Sequence, residues 1–250
     1  MTGKENHING YKLEICSNSS YSALQAQLGG ASRVELCQNL ENGGTTPSYG
    51  QIMHTRSLLH IGVHVLIRPR GGDFVYSEDE FVEIKTDIAF CKEAGCDGVV
   101  IGILNPDGSV DADRCAELVA LAKPMTTVFH RAFDRCRDPF ESLETIIALG
   151  FDRILTSGLQ VTAEEGKELL HHLIAKANGR IEIMPGSGVQ ESNIVDILAT
   201  TGATSIHSSA KTVVASRMTY DNAPLIGMNE DTWTTDREKV KVLASLLQTI

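Results

Sequence analysis

Four times along the chain a helical run stops at a glycine and an apolar stretch resumes a few residues later. The copies read Gly30-Ala31-Ser32-Arg33-Val34, Gly95-Cys96-Asp97-Gly98-Val99, Gly150-Phe151-Asp152-Arg153-Ile154 and Gly202-Ala203-Thr204-Ser205-Ile206. Glycine takes the left-handed backbone conformation that ends a helix without a Cβ penalty, so each copy predicts a helix stop and a tight return into a strand. Four more apolar runs lie between them: Leu13 to Cys16, Val63 to Ile67, Thr127 to His130 and Ile181 to Met184. Eight short strands alternating with helices require right-handed crossovers and a parallel sheet, and eight such units can close on themselves. The predicted fold class is α/β, a single (β/α)8 TIM barrel of parallel strands over residues 11–250. A doubly wound open sheet is the competing architecture. Its usual Gly-x-Gly-x-x-Gly turn after the first strand is missing, because Cys16-Ser17-Asn18-Ser19-Ser20 stands there.

Helix starts are also readable. Ser77 with Glu80 and Thr162 with Glu165 read as capping boxes, and Asp138-Pro139 and Thr46-Pro47 put proline at the first helical position. A last helix is predicted near Asp236 to Gln248. Two segments depart from the alternation. Residues 1–10 read as a flexible polar extension, and residues 211–235 are long for a connector and are expected to fold over the barrel mouth.

Composition narrows the function classes. With 22 Lys and Arg against 32 Asp and Glu, a formal charge of -10 and no dense basic run, the chain is unsuited to a phosphate backbone, so no nucleic-acid partner is expected. No stretch approaches the roughly 18 apolar residues of a membrane helix, and the amino-terminal segment lacks an apolar core. Six dispersed cysteines without a C-x-x-C pair fit reduced thiols in the cytoplasm better than a disulfide framework.

The polar residues that interrupt the apolar strands indicate where chemistry sits. Strands one and two end alike, as Leu13-Glu14-Ile15-Cys16 and Val34-Glu35-Leu36-Cys37. With side chains alternating across a strand, Glu14 with Cys16 and Glu35 with Cys37 point into the barrel. By the same parity Arg68 and Arg70 are expected inward at the upper rim, with Arg68 the ion-pair partner of Glu35. The carboxyl ends of barrel strands form the active face. Glu14, Glu35, His130 and His207 are therefore acid–base candidates. Arg68, Arg70, Arg131, Ser157, Gly186, Ser187, Gly188, Ser208 and Ser209 are candidates for holding an anion. Soft thiolates favour Cu(I), and Cys16 with Cys37 on adjacent strands is the obvious metal pair, although buried cysteine is more often a small apolar filler.

Several stretches, in order, resemble the CutC copper-homeostasis family. They are Leu13-Glu14-Ile15-Cys16, A-S-R-V-E-L-C at 31–37, G-G-T-T-P-S at 43–48, R-P-R-G-G-D-F-V-Y at 68–76, F-H-R-A-F-D at 129–134, L-T-S-G at 155–158 and His207-Ser208-Ser209. The resemblance runs from about Lys12 to the end. It implies a cytoplasmic barrel, often a homodimer, assigned to copper homeostasis without a settled reaction. The family's polar rim falls on Glu14, Glu35, Arg68, Arg70, His130 and His207, and its suggested copper ligands fall on Cys16 and Cys37. Where the family pattern has a small residue, this chain has Pro185. Two functions are thus expected: binding of copper as Cu(I), or, as the alternative, an enzyme acting on a small phosphorylated or carboxylated molecule. A scaffold barrel without a ligand ranks last, because charged residues gather at the mouth.

Overall fold

In the computed structural model, which describes residues 6–220 and 231–250, the four repeat glycines Gly30, Gly95, Gly150 and Gly202 take φ of 98°, 74°, 81° and 76°. A Cβ on Gly95, Gly150 or Gly202 would meet nothing within 4 Å, so it is the left-handed backbone and not crowding that calls for glycine. In each copy the next strand begins three residues on, at Arg33, Gly98, Arg153 and Ser205.

The barrel strands are β1 (Lys12–Ser17), β2 (Arg33–Leu36), β3 (Gly62–Leu66), β4 (Gly98–Ile101), β5 (Thr126–Phe129), β6 (Arg153–Thr156), β7 (Glu182–Pro185) and β8 (Ser205–Ser208). All pair in parallel in the order β7-β6-β5-β4-β3-β2-β1-β8, and β7 lies beside β8 at the seam of a nearly closed barrel. The outer ring is α1 (Ser20–Gly29), α2 (Tyr49–Leu58), α3 (Glu78–Glu93), α4 (Ala112–Ala122), α5 (Pro139–Ala148), α6 (Lys167–Ala177), α7 (Ile194–Thr201) and α8 (Arg237–Gln248). None of the helices described is long and apolar enough to cross a membrane.

The Ser77–Glu80 capping box forms at α3, and Asp138 caps α5 with Pro139 inside its first turn. Such a cap is worth about 1 kcal/mol. Two predicted starts shift. Ser48 caps α2, which leaves Pro47 outside the helix, because Thr46 is occupied in pairing with the backbone of Arg68. Thr162 accepts from the Glu165 amide, but in a turn ahead of α6, whose N-cap is Gly166.

Residues 1–5 of the predicted extension lie outside the described residues, as do 221–230 of the long connector. Ile8 is buried and bridges to Tyr11. On either side of 221–230, strands β9 (Lys211–Val214) and β10 (Thr232–Thr235) form an antiparallel hairpin.

Most of the core lies between strands and helices. A second cluster fills the barrel itself: Leu66, Val100, Val128, Leu155 and Met184, with Cys16 and Cys37. Toward the amino ends of the strands the interior is ionic, with Arg153 Nε donating to Glu182 at 2.6 Å and Lys12 Nζ at 3.6 Å from the same carboxylate. At the opposite end the barrel opens into a recess lined by polar residues.

Candidate functional site

Strand register brings the site together. Glu14 stands opposite Arg33 on β2 and His207 on β8, while Cys16 stands opposite Glu35 one pleat higher. Arg33 Nε donates to Glu14 Oε2 at 2.5 Å, and its second arm reaches Ser205 Oγ at 2.7 Å. The other Glu14 oxygen lies 2.8 Å from His207 Nδ1. A carboxylate that holds one imidazole nitrogen fixes the ring and leaves Nε2 for a ligand, the usual way a metal-binding histidine is oriented. His207 Nε2 is 3.9 Å from Glu35 Oε2.

Cys16 Sγ, a Glu35 oxygen and a His207 ring nitrogen lie within 4.8 Å of one another, and all three residues are buried. Cys37 extends the group, its Sγ 3.4 Å from that of Cys16. Burial alone would raise the Glu14 carboxyl, but the Arg33 charge and the His207 contact outweigh it and hold it well below the usual carboxylate range. Glu35 is pushed up, mainly by burial and then by the Glu14 charge. Although burial works against His207 carrying a proton, the Glu35 charge and the bonds to Cys16 and Glu14 move it well above its ordinary value. The Cys16 thiol is raised by its bond to Cys37 and by burial. The cluster thus holds protons at neutral pH that an incoming cation must displace.

Above it opens a cavity of about 600 Å³ at the carboxyl ends of the strands. Of the residues singled out from sequence, Cys16, Glu35, Arg68, His130, Arg131, Ser187, Gly188, His207, Ser208 and Ser209 line it. Glu14 and Cys37 are buried immediately behind its wall. Ser157 and Gly186 are not in the lining. Ser157 joins Thr156 and Arg131 in binding Asp134, and Gly186 packs its backbone against Leu155 and His207.

Two expectations for the arginines are corrected. Arg68 is not the partner of Glu35. Its guanidinium donates to the carbonyls of Asn42, Gly44 and Gly72 and stacks over Phe74 at 5.0 Å, so it pins two loops together. Arg70 turns away from the cavity to Glu80 at 2.5 Å and Asp73 at 2.9 Å. Both follow from β3 ending at Leu66: strand parity does not extend through the Pro69 loop.

The inward partners that sequence reading missed are Arg33 and the mouth residues Lys211, Trp233 and Lys239. Arg33 shares the parity of Glu35 and Cys37, a signal that was present. The Lys211 and Trp233 positions depend on a hairpin whose two strands are separated by 17 residues, 215–231, and no local pattern predicts it.

A parallel barrel with a buried thiol, carboxylate and imidazole group under an open mouth defines a class: a (β/α)8 protein with a carboxyl-end recess whose floor carries donor types suited to a soft or borderline metal ion. Residues 11–212 match the CutC family model, and the chain belongs to the CutC family. A CutC family protein of Parabacteroides distasonis is 50% identical over 92% of this chain and 97% of its own length. The copper homeostasis protein cutC homolog of Homo sapiens is 43% identical over 100% of this chain and 93% of its own. Among solved structures, the CutC protein of Streptococcus agalactiae superposes with a TM-score of 0.77 at 37% identity, over 80% of this chain and 98% of that one.

Proposed function

We propose that this chain handles copper, taking up one Cu(I) on Cys16 and Cys37 with His207 and Glu35 at hand. The observation that carries the reading is the donor set. Cys16, at the floor of an accessible cavity, lies 3.4 Å from Cys37 just behind the wall and beside an imidazole whose Nδ1 is already anchored by Glu14. Thiolates select Cu(I) over hard cations, and the anchored imidazole serves copper as well. The copper homeostasis name of the human relative agrees with it. A reducing cytoplasm, where both thiols stay free and copper is monovalent, is part of the proposal, and so is a homodimer, which sedimentation analysis would test.

A competition titration of Cu(I) against a chromophoric chelator tests the reading. Wild type should take one Cu(I) per chain. Cys16→Ser/Cys37→Ser should lose at least about a hundredfold in affinity, more than the ten- to hundredfold that an orienting partner alone is worth. Equal affinity in the two proteins would remove the proposal.

A further inference from the structure

The cavity has a second face that the thiol cluster does not use. His130 is buried in its wall, and its Nδ1 accepts from the Ala132 amide at 3.1 Å. The ring proton of the neutral imidazole is therefore on Nε2, which meets no acceptor among the described residues. Burial, with the Arg68 charge nearby, lowers His130 to about 3, so it remains a neutral N–H donor at physiological pH. A buried donor without an acceptor costs about 1–3 kcal/mol and calls for a ligand oxygen.

Charge points the same way. The chain carries -10 overall, yet Arg68, Lys211 and Lys239 line this one opening, and among the described residues none of the three forms an ion pair with a carboxylate. Arg68 is held by carbonyls, Lys211 stands 4.2 Å over the Trp233 ring, and Lys239 Nζ donates to the Lys211 carbonyl. Of the carboxylates that line the cavity, Glu35 is engaged with His207 and Glu191 lies at the rim. Clustered cations over low-dielectric walls concentrate anions at the opening.

We propose that the mouth of the barrel binds the phosphate group of a small molecule between His130 and the Lys211–Lys239 pair. Phosphate suits these groups better than carboxylate. Arg68 Nη1 and Nη2 are spent on backbone carbonyls and only its Nε is left without an acceptor among the described residues, so a two-pronged grip on a carboxylate is not on offer, whereas lysines act as point charges and a tetrahedral anion accepts donors from several directions. The cavity, at about 600 Å³, has room for an organic group beyond the phosphate. This site is independent of the copper reading, since it shares the cavity but none of the thiol donors.

Calorimetric titration with inorganic phosphate and with glycerol phosphate tests it. Wild type should bind glycerol phosphate saturably. Lys211→Gln/Lys239→Gln, both exposed positions, should weaken binding at least tenfold while leaving the Cu(I) titration unchanged. His130→Gln, which keeps an acceptor for the Ala132 amide, should also weaken it. Tighter binding of the ester than of phosphate would support an organic moiety in the cavity, and equal binding would support a site for phosphate itself. No saturable binding of either probe, or equal affinity in wild type and the lysine variant, would overturn the proposal, whatever the copper titration shows.

Discussion

Replacing Arg33 by methionine isolates the ion pair on which the site is built. Arg33 is fully buried and Glu14 is 1% exposed, so Arg33→Met leaves a carboxylate enclosed without its main counter-charge. Removing one partner of a buried pair costs about 3–5 kcal/mol. The low end applies because Glu14 keeps His207 at 2.8 Å, which gives a loss of about 3 kcal/mol. For a chain of this length that is a fall in Tm of about 6–12 °C. The double variant Arg33→Met/Glu14→Gln removes the stranded charge and keeps a hydrogen-bonding group against His207, and should recover about 2 kcal/mol. Urea unfolding of the four proteins of this cycle measures both quantities. A single variant within 1 kcal/mol of wild type, or a double variant no more stable than the single, would show that Arg33 is not the main counter-charge of Glu14.

Three further outcomes follow from the same geometry. His130 is held neutral, its folded value of about 3 lying below the ordinary 6.5, so protons favour the unfolded chain; the stability this confers is complete above pH 6.5 and is lost as pH falls toward 3. Between pH 7 and 5 wild type should lose about 2 kcal/mol from this group, and His130→Gln should lose that much less in urea titrations at the two pH values. Gly102→Ala would place a Cβ 2.7 Å from the His130 ring; displacing the ring should cost about 1–3 kcal/mol and weaken glycerol phosphate binding in the same protein. Gly150→Ala forces alanine to φ 81° where there is open space, and should cost about 1–2 kcal/mol by thermal unfolding, with no effect on Cu(I) affinity.

The barrel was legible because its punctuation is local. A glycine that must be left-handed and a polar residue that breaks an apolar strand are both readable within a few positions, and together they located the eight strands and the inward parity of Glu14, Cys16, Glu35 and Cys37. What escaped depends on pairing across the sheet or on loops. Arg33 shares the inward parity of Glu35 and Cys37, but only the register that sets it opposite Glu14 shows what it pairs with. Parity brought Arg68 to the cavity wall, but the expected pairing of Arg68 with Glu35 and the inward placement of Arg70 failed, because β3 ends at Leu66 and the next residues follow the turn chemistry of Pro69, Gly71 and Gly72. Lys211 and Trp233 reach the mouth only through a hairpin whose strands pair at long range.

The proposed Cu(I) site of this barrel stands or falls on coordination by sulfur. Copper K-edge X-ray absorption on protein loaded with one Cu(I) per chain measures the donors directly. Two sulfur scatterers in wild type, with nitrogen or oxygen alone after Cys16→Ser/Cys37→Ser, is the predicted result; a wild-type spectrum without sulfur, or one that the substitutions leave unaltered, would contradict it.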